Sequence, residues 1–296
     1  MRYERLAPAK INLFLHVGPL GDDGYHPLCS LVTFADVGDV VALNKDREVG
    51  FSIEGPFAEG LSPEAPNLVT RARDLWLAGY PDTPPAFQLT LDKRLPIAAG
   101  LGGGSADAAA TLALLGETLG WERDEDEDEA LARIAAGLGA DVPMCLRGQP
   151  AMAAGRGDEL DFPPVFPDLD AVLVNPGVPA PTGAVYGAYD DAGAPGDASE
   201  PSWPEPMQTV GEVGSFLQRC RNDLEAPAIS LQPAIAAVLA ALRERPETLF
   251  ARMSGSGATC FAICANRRDR QDLAFSLAAA HPGWWVQPCT LAGFRP

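Results

Sequence analysis

Lysine is scarce in this chain: of 22 basic residues only Lys10, Lys45 and Lys93 are lysines, and 19 are arginines. Basic charge as a whole is short too, with 40 acidic residues giving a net charge of −18 over 296 residues. Proteins that hold a nucleic-acid backbone neutralise its phosphates with Lys and Arg, so no nucleic-acid partner is expected here. Three histidines and six scattered cysteines (Cys29, Cys145, Cys220, Cys260, Cys264 and Cys289), none in a C-x-x-C pair, indicate neither a zinc site nor a disulfide framework. There is no N-terminal apolar h-region and no uninterrupted apolar run of about 18 residues, which argues against secretion and membrane spanning. A reducing cytoplasm is the expected compartment.

What is abundant is apolar residues, at 47% of the chain, enough to bury a full core in one large domain or two ordinary ones. Glycine is also abundant, and it is concentrated. Pro96, Ile97, Ala98, Ala99, Gly100, Leu101, Gly102, Gly103, Gly104, Ser105 and Ala106 lead into a long apolar segment. Glycines let a backbone approach an anion closely with its N–H groups turned inward, and a helix N-terminus favours negative charge. The run reads as a cradle for nucleotide phosphates, with a plain strand-to-helix turn as the alternative. It is not a P-loop, since no Lys-Ser or Lys-Thr follows the glycines, and Ser105 breaks the G-x-G-x-x-G spacing.

Period-two alternation predicts a strand over 9–17, with Lys10 and Asn12 projecting together from one face. Further strands are expected within 31–42, at 51–53, 87–91, 151–154, 171–175, 250–253 and 258–264. Helical spacing covers 67–79, 130–138, 215–221 and 234–243, and Ser105 is expected to cap a helix running to Gly120. The acidic run 122–129 reads as a solvated linker and helix lead-in, and 189–206 as an exposed loop. The order is neither repeating nor a regular βαβ alternation, so the expected class is α+β with a boundary near 150–165.

Lys10 is unusual as a lysine on an apolar strand; a snorkelling edge side chain is the alternative to a role in a site. Asp141 follows a helix stop and precedes Val-Pro, so it reads either as a cap or as a base for a hydroxyl nucleophile. The Tyr25-His26 pair is either a ligand platform or turn packing. The glycine turn in 253–259 is either a second set of anion-facing N–H groups or a tight hairpin.

Read in order, Pro8-Ala-Lys10-Ile-Asn12-Leu, Asp23-Gly-Tyr25-His26, Pro96 to Ala109, Gly139-Ala-Asp141-Val-Pro143 and Gly255-Ser-Gly-Ala-Thr259 resemble the GHMP kinase superfamily. The resemblance runs over 6–187 and resumes near Arg252. It implies a two-domain α+β fold, residues 1–160 and 161–296, with the active site in the cleft between them. The activity it implies is ATP-dependent phosphorylation of the 2-hydroxyl of 4-diphosphocytidyl-2-C-methyl-D-erythritol, on the methylerythritol phosphate route to isoprenoids. Lys10 and Asp141 match the catalytic pair, and 96–106 the ATP loop, with Ser105 available to phosphate or Mg²⁺. Tyr25, His26 and Tyr186 match positions that grip cytidine, and Asn12 and Thr182 positions near the methylerythritol. The implied cofactors are ATP and Mg²⁺, and the implied substrate carries a cytidine diphosphate group, with the enzyme a monomer or homodimer. Departures are Ala98, Ala99 and Ala106, where relatives often have Gly or Ser, and Tyr186, where Phe also occurs. The alternatives are a GHMP kinase for homoserine or mevalonate, and a nucleotide-binding sensor that keeps the fold without turnover.

Overall fold

A computed structural model describes residues 1–80, 87–119, 125–163, 165–193, 196–201 and 207–293, the side chains of 125–128 excepted. Its framework is one sheet organised around a long strand. The chain enters as β1 (Arg2–Asn12), touches the sheet again as β2 (His16–Val17), and returns as β3 (Leu28–Asn44). The run Leu-Val-Thr-Phe-Ala-Asp-Val-Gly-Asp-Val-Val-Ala-Leu in β3 is rich in β-branched residues and buried for most of its length, as a strand covered on both faces must be. It pairs antiparallel with β1 and β2.

The β1–β3 register shifts between Pro8 and Lys10. Proline has no N–H to give the ladder, and Gly38 opposite comes so close to the Ala7 carbonyl that a Cβ would meet its oxygen at 2.0 Å. The irregularity lies next to Lys10, so it falls where β1 approaches the glycine loop. The strand expected over 9–17 therefore stops at Asn12. Beyond it Leu13 still donates to the Leu31 carbonyl of β3 and β2 resumes that pairing, but between them Leu15 meets residues 221–223, with Leu15 N–H on the Arg221 carbonyl and Asp223 N–H on the Leu15 carbonyl, both 2.9 Å.

β4 (Gly50–Glu54) pairs parallel with β5 (Gln88–Asp92), which lies beside β3. Between them α1 (Leu68–Gly79) is capped by the Asn67 side chain, which accepts from the Thr70 N–H. α2 (Gly103–Leu119) is alanine-rich and buried on nearly all sides, as a central helix with no polar face should be. Ser105 does not cap it. The helix begins two residues earlier, with the Ala106 N–H already bonded to the Gly102 carbonyl, because glycines at 103 and 104 can enter a helix with no side chain over their N–H groups.

α3 (Glu125–Leu138) begins within the acidic run, whose first residues 122–124 lie outside the described residues. α4 (Val142–Arg147) follows the 139–141 turn, and β6 (Ala151–Ala154) and β7 (Glu159–Asp161) extend the sheet from β3. The second half supplies β8 (Leu169–Asn175), α5 (Thr182–Asp191), α6 (Val210–Leu217), α7 (Glu225–Leu231), α8 (Ala234–Arg243), β9 (Thr248–Met253), β10 (Cys260–Cys264), α9 (Arg267–Ala280) and β11 (Trp285–Ala292). The main order is β4-β5-β3-β11-β8-β10-β9, so the last strand joins the two halves by pairing with β3 on one side and β8 on the other.

Two expectations change here. The helix placed at 215–221 runs over Val210–Leu217, because Thr209 and Glu212 form a reciprocal capping box that fixes its start. The loop placed at 189–206 begins inside α5: Tyr189 is buried and its hydroxyl donates to the Val17 carbonyl at 2.7 Å, while 194–195 and 202–206 lie outside the described residues. Helices α5, α7 and α9 and strand β11 escaped sequence reading. The 14-residue α9 opens with a polar run, Arg-Arg-Asp-Arg-Gln-Asp, which hides the narrow apolar stripe of Leu273, Ala274 and Leu277.

Three apolar clusters fill the interior. One lies between β3, α1 and α2, and another between β8, β10, α7 and α8. The third mixes Leu13, Phe14, Leu31 and Leu101 from the first half with Leu173, Phe216, Phe261 and Leu291 from the second. Each such fully buried side chain stabilises by about 1.5–3 kcal/mol relative to exposure, so the joint between halves is itself core.

Candidate active site

A cleft of about 770 Å³ opens above that joint. The glycine loop forms one wall, and its four successive carbonyls from Ala98 to Leu101 are tied down. The Ala98 carbonyl accepts from the Ala180 N–H, that of Ala99 from the Thr259 N–H, and that of Leu101 from the Lys10 N–H. The Gly100 carbonyl accepts from the Ser254 hydroxyl at 3.0 Å. Gly100 and Gly102 have φ of 73° and 62°, and Ala98 holds φ 51° without glycine's freedom. With the carbonyls occupied, the N–H groups opening α2 have no partner inside the helix and are available to an anion.

Lys10 stands against this loop. A Cβ on Gly102 would lie 3.0 Å from the Lys10 Cβ and 3.2 Å from its Cε. Its ammonium donates to the Asp141 carboxylate at 2.9 Å, across 131 positions of sequence. Lys10 is only 8% exposed. Burial pulls its pKa down, but the charge of Asp141 and the hydrogen bond to it outweigh burial and raise the ammonium above its ordinary value. Asp141 occupies the position before α4, where its side chain makes no capping bond, and 37% of that side chain remains exposed. A carboxylate held by one oxygen and open at the other can accept a proton from a hydroxyl brought into the cleft.

Asn12 shares the Lys10 face, as the alternation required, and donates to Ser30 at 2.7 Å while its own N–H reaches Ser254. Ser254 thereby joins β1 to the glycine loop. The 254–257 turn is the β9–β10 hairpin, and through Gly255 and Ser256 it forms part of the cleft wall. Thr182 reaches Ser256 at 3.0 Å. Tyr186 also faces the cleft, its phenol pushed up to about 12 by burial and then by the charge of Asp141, so it presents a neutral ring.

The cleft thus gathers Lys10, Asn12, 96–105, Asp141, Thr182 and Tyr186. Ala106 is not in its wall, and its N–H is spent on Gly102. His26 stands behind Tyr186, ring centroids 5.2 Å apart, with Nδ1 on the Gly18 carbonyl and Nε2 3.3 Å from Asp190. Tyr25 is 56% exposed outside the wall, under the guanidinium of Arg156 at 3.8 Å. Arg156 itself faces the cleft and forks onto Asp23 through Nε and Nη2.

Two groups in the wall escaped sequence reading. Arg156 is one of 19 arginines and carries no motif. Lys93 is buried beside Gly103, paired with Asp39 and with Asp107 at 2.9 Å. Its scarcity as one of three lysines was the available signal. Two carboxylates facing one ammonium leave a net negative charge in a dry place. Burial pushes Asp107 up to about 8, with Lys93 opposing and Asp39 reinforcing the shift, and one Asp107 oxygen has no hydrogen-bond partner.

Residues 67–149 match the GHMP kinases N terminal domain and 208–283 the GHMP kinases C terminal domain. A 4-diphosphocytidyl-2-C-methyl-D-erythritol kinase of Caulobacter vibrioides (strain NA1000 / CB15N) is 48% identical over 293 residues, covering 99% of this chain and all of that protein. The chain belongs to the 4-diphosphocytidyl-2-C-methyl-D-erythritol kinase family of GHMP kinases. A crystal structure of a 4-(cytidine 5'-diphospho)-2C-methyl-D-erythritol kinase superposes with TM-score 0.75 at 32% identity, over 99% of this chain and all of the other. A homoserine kinase from Cytophaga hutchinsonii shares the fold, TM-score 0.69 at 20% identity over 99% of this chain and 95% of its own. In this member of the family the two-domain α+β fold is as the resemblance implied, with ATP as the phosphoryl donor of a kinase. Among the described residues no helix is long and apolar enough to cross a membrane.

Proposed function

We propose that the chain transfers the γ-phosphoryl group of ATP to the 2-hydroxyl of 4-diphosphocytidyl-2-C-methyl-D-erythritol, giving the 2-phosphate and ADP. The observation that carries the assignment of roles is the Lys10–Asp141 pair in the cleft, with Lys10 against the glycine loop. Asp141 takes the proton of the attacking hydroxyl; the oxygen forms its bond to the γ-phosphorus as the bond to the β-phosphate oxygen breaks. Lys10 fixes Asp141 and supplies positive charge where the hydroxyl becomes an alkoxide. Phosphoryl transfer depends mainly on such positioning and charge stabilisation.

The N–H groups opening α2 receive the ATP phosphates, with Ser105 in the same turn. No group of three or more His, Cys, Asp or Glu among the described residues makes a metal cage. The donors present fit a cation of the Mg²⁺ type, which is held largely by substrate phosphates and water with one or two protein oxygens. Ser105, in the cleft wall, would supply such an oxygen, and Mg²⁺ would offset charge on the phosphates. Tyr186 offers a face for the cytosine ring, backed by His26. Tyr25 acts through Arg156, whose guanidinium it supports at the edge of the cleft. Asn12 and Thr182 position the methylerythritol.

The test is an ADP-release assay with Mg-ATP and 4-diphosphocytidyl-2-C-methyl-D-erythritol beside homoserine, mevalonate and no acceptor. Turnover with the cytidyl substrate alone is the expected result. Turnover with another alcohol would remove the base-binding role of Tyr186, and ATP binding without turnover would leave a sensor.

A further inference from the structure

A second cavity, of about 510 Å³, lies outside the cleft and shares no lining residue with it. Its walls carry Arg221, Arg243 and Arg252 against one lining carboxylate, Glu225, in a chain of net charge −18. Glu225 is already committed, one oxygen to Arg243 at 3.2 Å and the other to the Met253 N–H. Arg221 is held by Asp223 behind the wall at 2.6 Å.

Arg252 is the unusual member. It is 9% exposed and donates only to carbonyls, those of Leu13, Leu217 and Cys220. No carboxylate among the described residues comes within ion-pair distance of it. A buried charge is costly unless it meets an opposite one, and burial lowers this guanidinium to about 10, still charged at neutral pH. Glu225 acts on it only from beyond ion-pair distance, so an anion in the adjoining cavity would add a counter-charge at contact, and arginine forks match phosphate oxygens in pairs.

The same wall holds the catalytic turn. Asn222, which lines the cavity, donates through Nδ2 to the Met253 carbonyl at 2.9 Å and to the Gly255 carbonyl at 2.8 Å. Gly255 faces the first cleft. Arg252 grips the carbonyl of Leu13, the residue after Asn12.

We propose that this second cavity binds a small phosphate-bearing anion between Arg221, Arg243 and Arg252, and that the bound anion acts on the catalytic cleft through Asn222 and the 253–255 turn. Nucleotide in the first cleft and anion in the second are then linked, each altering the affinity of the other by the same factor.

The probe is inorganic pyrophosphate, titrated calorimetrically into the full chain with a non-hydrolysable ATP analogue at saturation. Binding is read without turnover, so the result does not depend on which alcohol the enzyme phosphorylates. The expected result is saturable binding that weakens at least tenfold in an Arg221→Gln, Arg243→Gln double variant whose melting temperature shows it folded. A second measurement, with Mg²⁺ in excess, is the KM for ATP, where competition at the glycine loop is common to both proteins and the shift by pyrophosphate is expected to differ at least twofold between parent and variant. Absence of binding once the first cleft is filled, or equal binding by the variant, would overturn the site. Binding with the same KM shift in parent and variant would overturn the link.

Discussion

The Lys10 ammonium lies 2.9 Å from the Asp141 carboxylate, one residue near the end of β1 and the other at the entrance to α4, both lining the cleft. The pair keeps a lysine charged in a buried place while leaving a carboxylate oxygen open. Asp141→Asn retains the shape and removes the base, and is expected to lower kcat by about 10² to 10⁴ with little change in KM for ATP. Steady-state kinetics on the purified variant checks this; near-parental turnover would take Asp141 out of the mechanism.

Because Asp141 raises Lys10 above its ordinary value, about 10.4, the ammonium stays charged throughout the neutral range. Folded Lys10 binds its proton more tightly than unfolded Lys10. Its contribution to stability is therefore full below that ordinary value and is lost as pH rises through the folded one. A kcat/KM profile is expected to show no loss from Lys10 between pH 6 and about pH 9. Lys10→Met should abolish most activity across the whole range.

Asp107 gives a pH dependence of the same sign at lower pH, within reach of ordinary buffers. Its folded value of about 8 stands above its unfolded one, so its contribution to stability is full below about pH 4 and falls as pH rises through 8. Melting temperature should decline from pH 6 to pH 9 more steeply in the parent than in Asp107→Asn, which keeps the shape and cannot ionise. Equal slopes in thermal melts would mean that Asp107 does not titrate there.

Gly100 and Ala98 make a contrasting pair in the glycine loop. A Cβ on Gly100 would meet the Ser254 carbonyl oxygen at 2.4 Å and the Gly257 nitrogen at 2.8 Å, both backbone, at a φ of 73°. Gly100→Ala is expected to cost about 2 kcal/mol or more and to disturb both walls of the cleft. Ala98→Gly relieves a left-handed alanine and adds unfolded-chain freedom, two effects that nearly cancel, leaving stability within about 1 kcal/mol of the parent. Denaturant melts of the two variants measure both.

Tyr186 offers a ring and a hydroxyl, and only the ring is asked to carry recognition of the base. Tyr186→Phe should leave the acceptor KM within about threefold, while Tyr186→Ala should raise it at least about tenfold, since one base–aromatic stack contributes about 1–3 kcal/mol. Free cytidine should compete with the acceptor in the parent and lose that ability in Tyr186→Ala.

The glycine loop, the Lys10–Asn12 face and the position of Asp141 at a helix entrance were legible because each depends on local rules: backbone freedom, period-two alternation and capping chemistry. The α+β class follows from the order of the elements, while Lys10 and Asp141 became the catalytic candidates through the family resemblance, local rules leaving a snorkelling side chain and a cap open. Sequence alone could not show that Lys10 meets Asp141, since nothing local measures a separation of 131 positions. Nor could it show that β11 joins β3 to β8, that Arg156 reaches the cleft over Tyr25, or that Lys93 is shared by Asp39 and Asp107. Those facts are set by which faces share a core and which charges are forced into one dry space, and only the folded chain decides them.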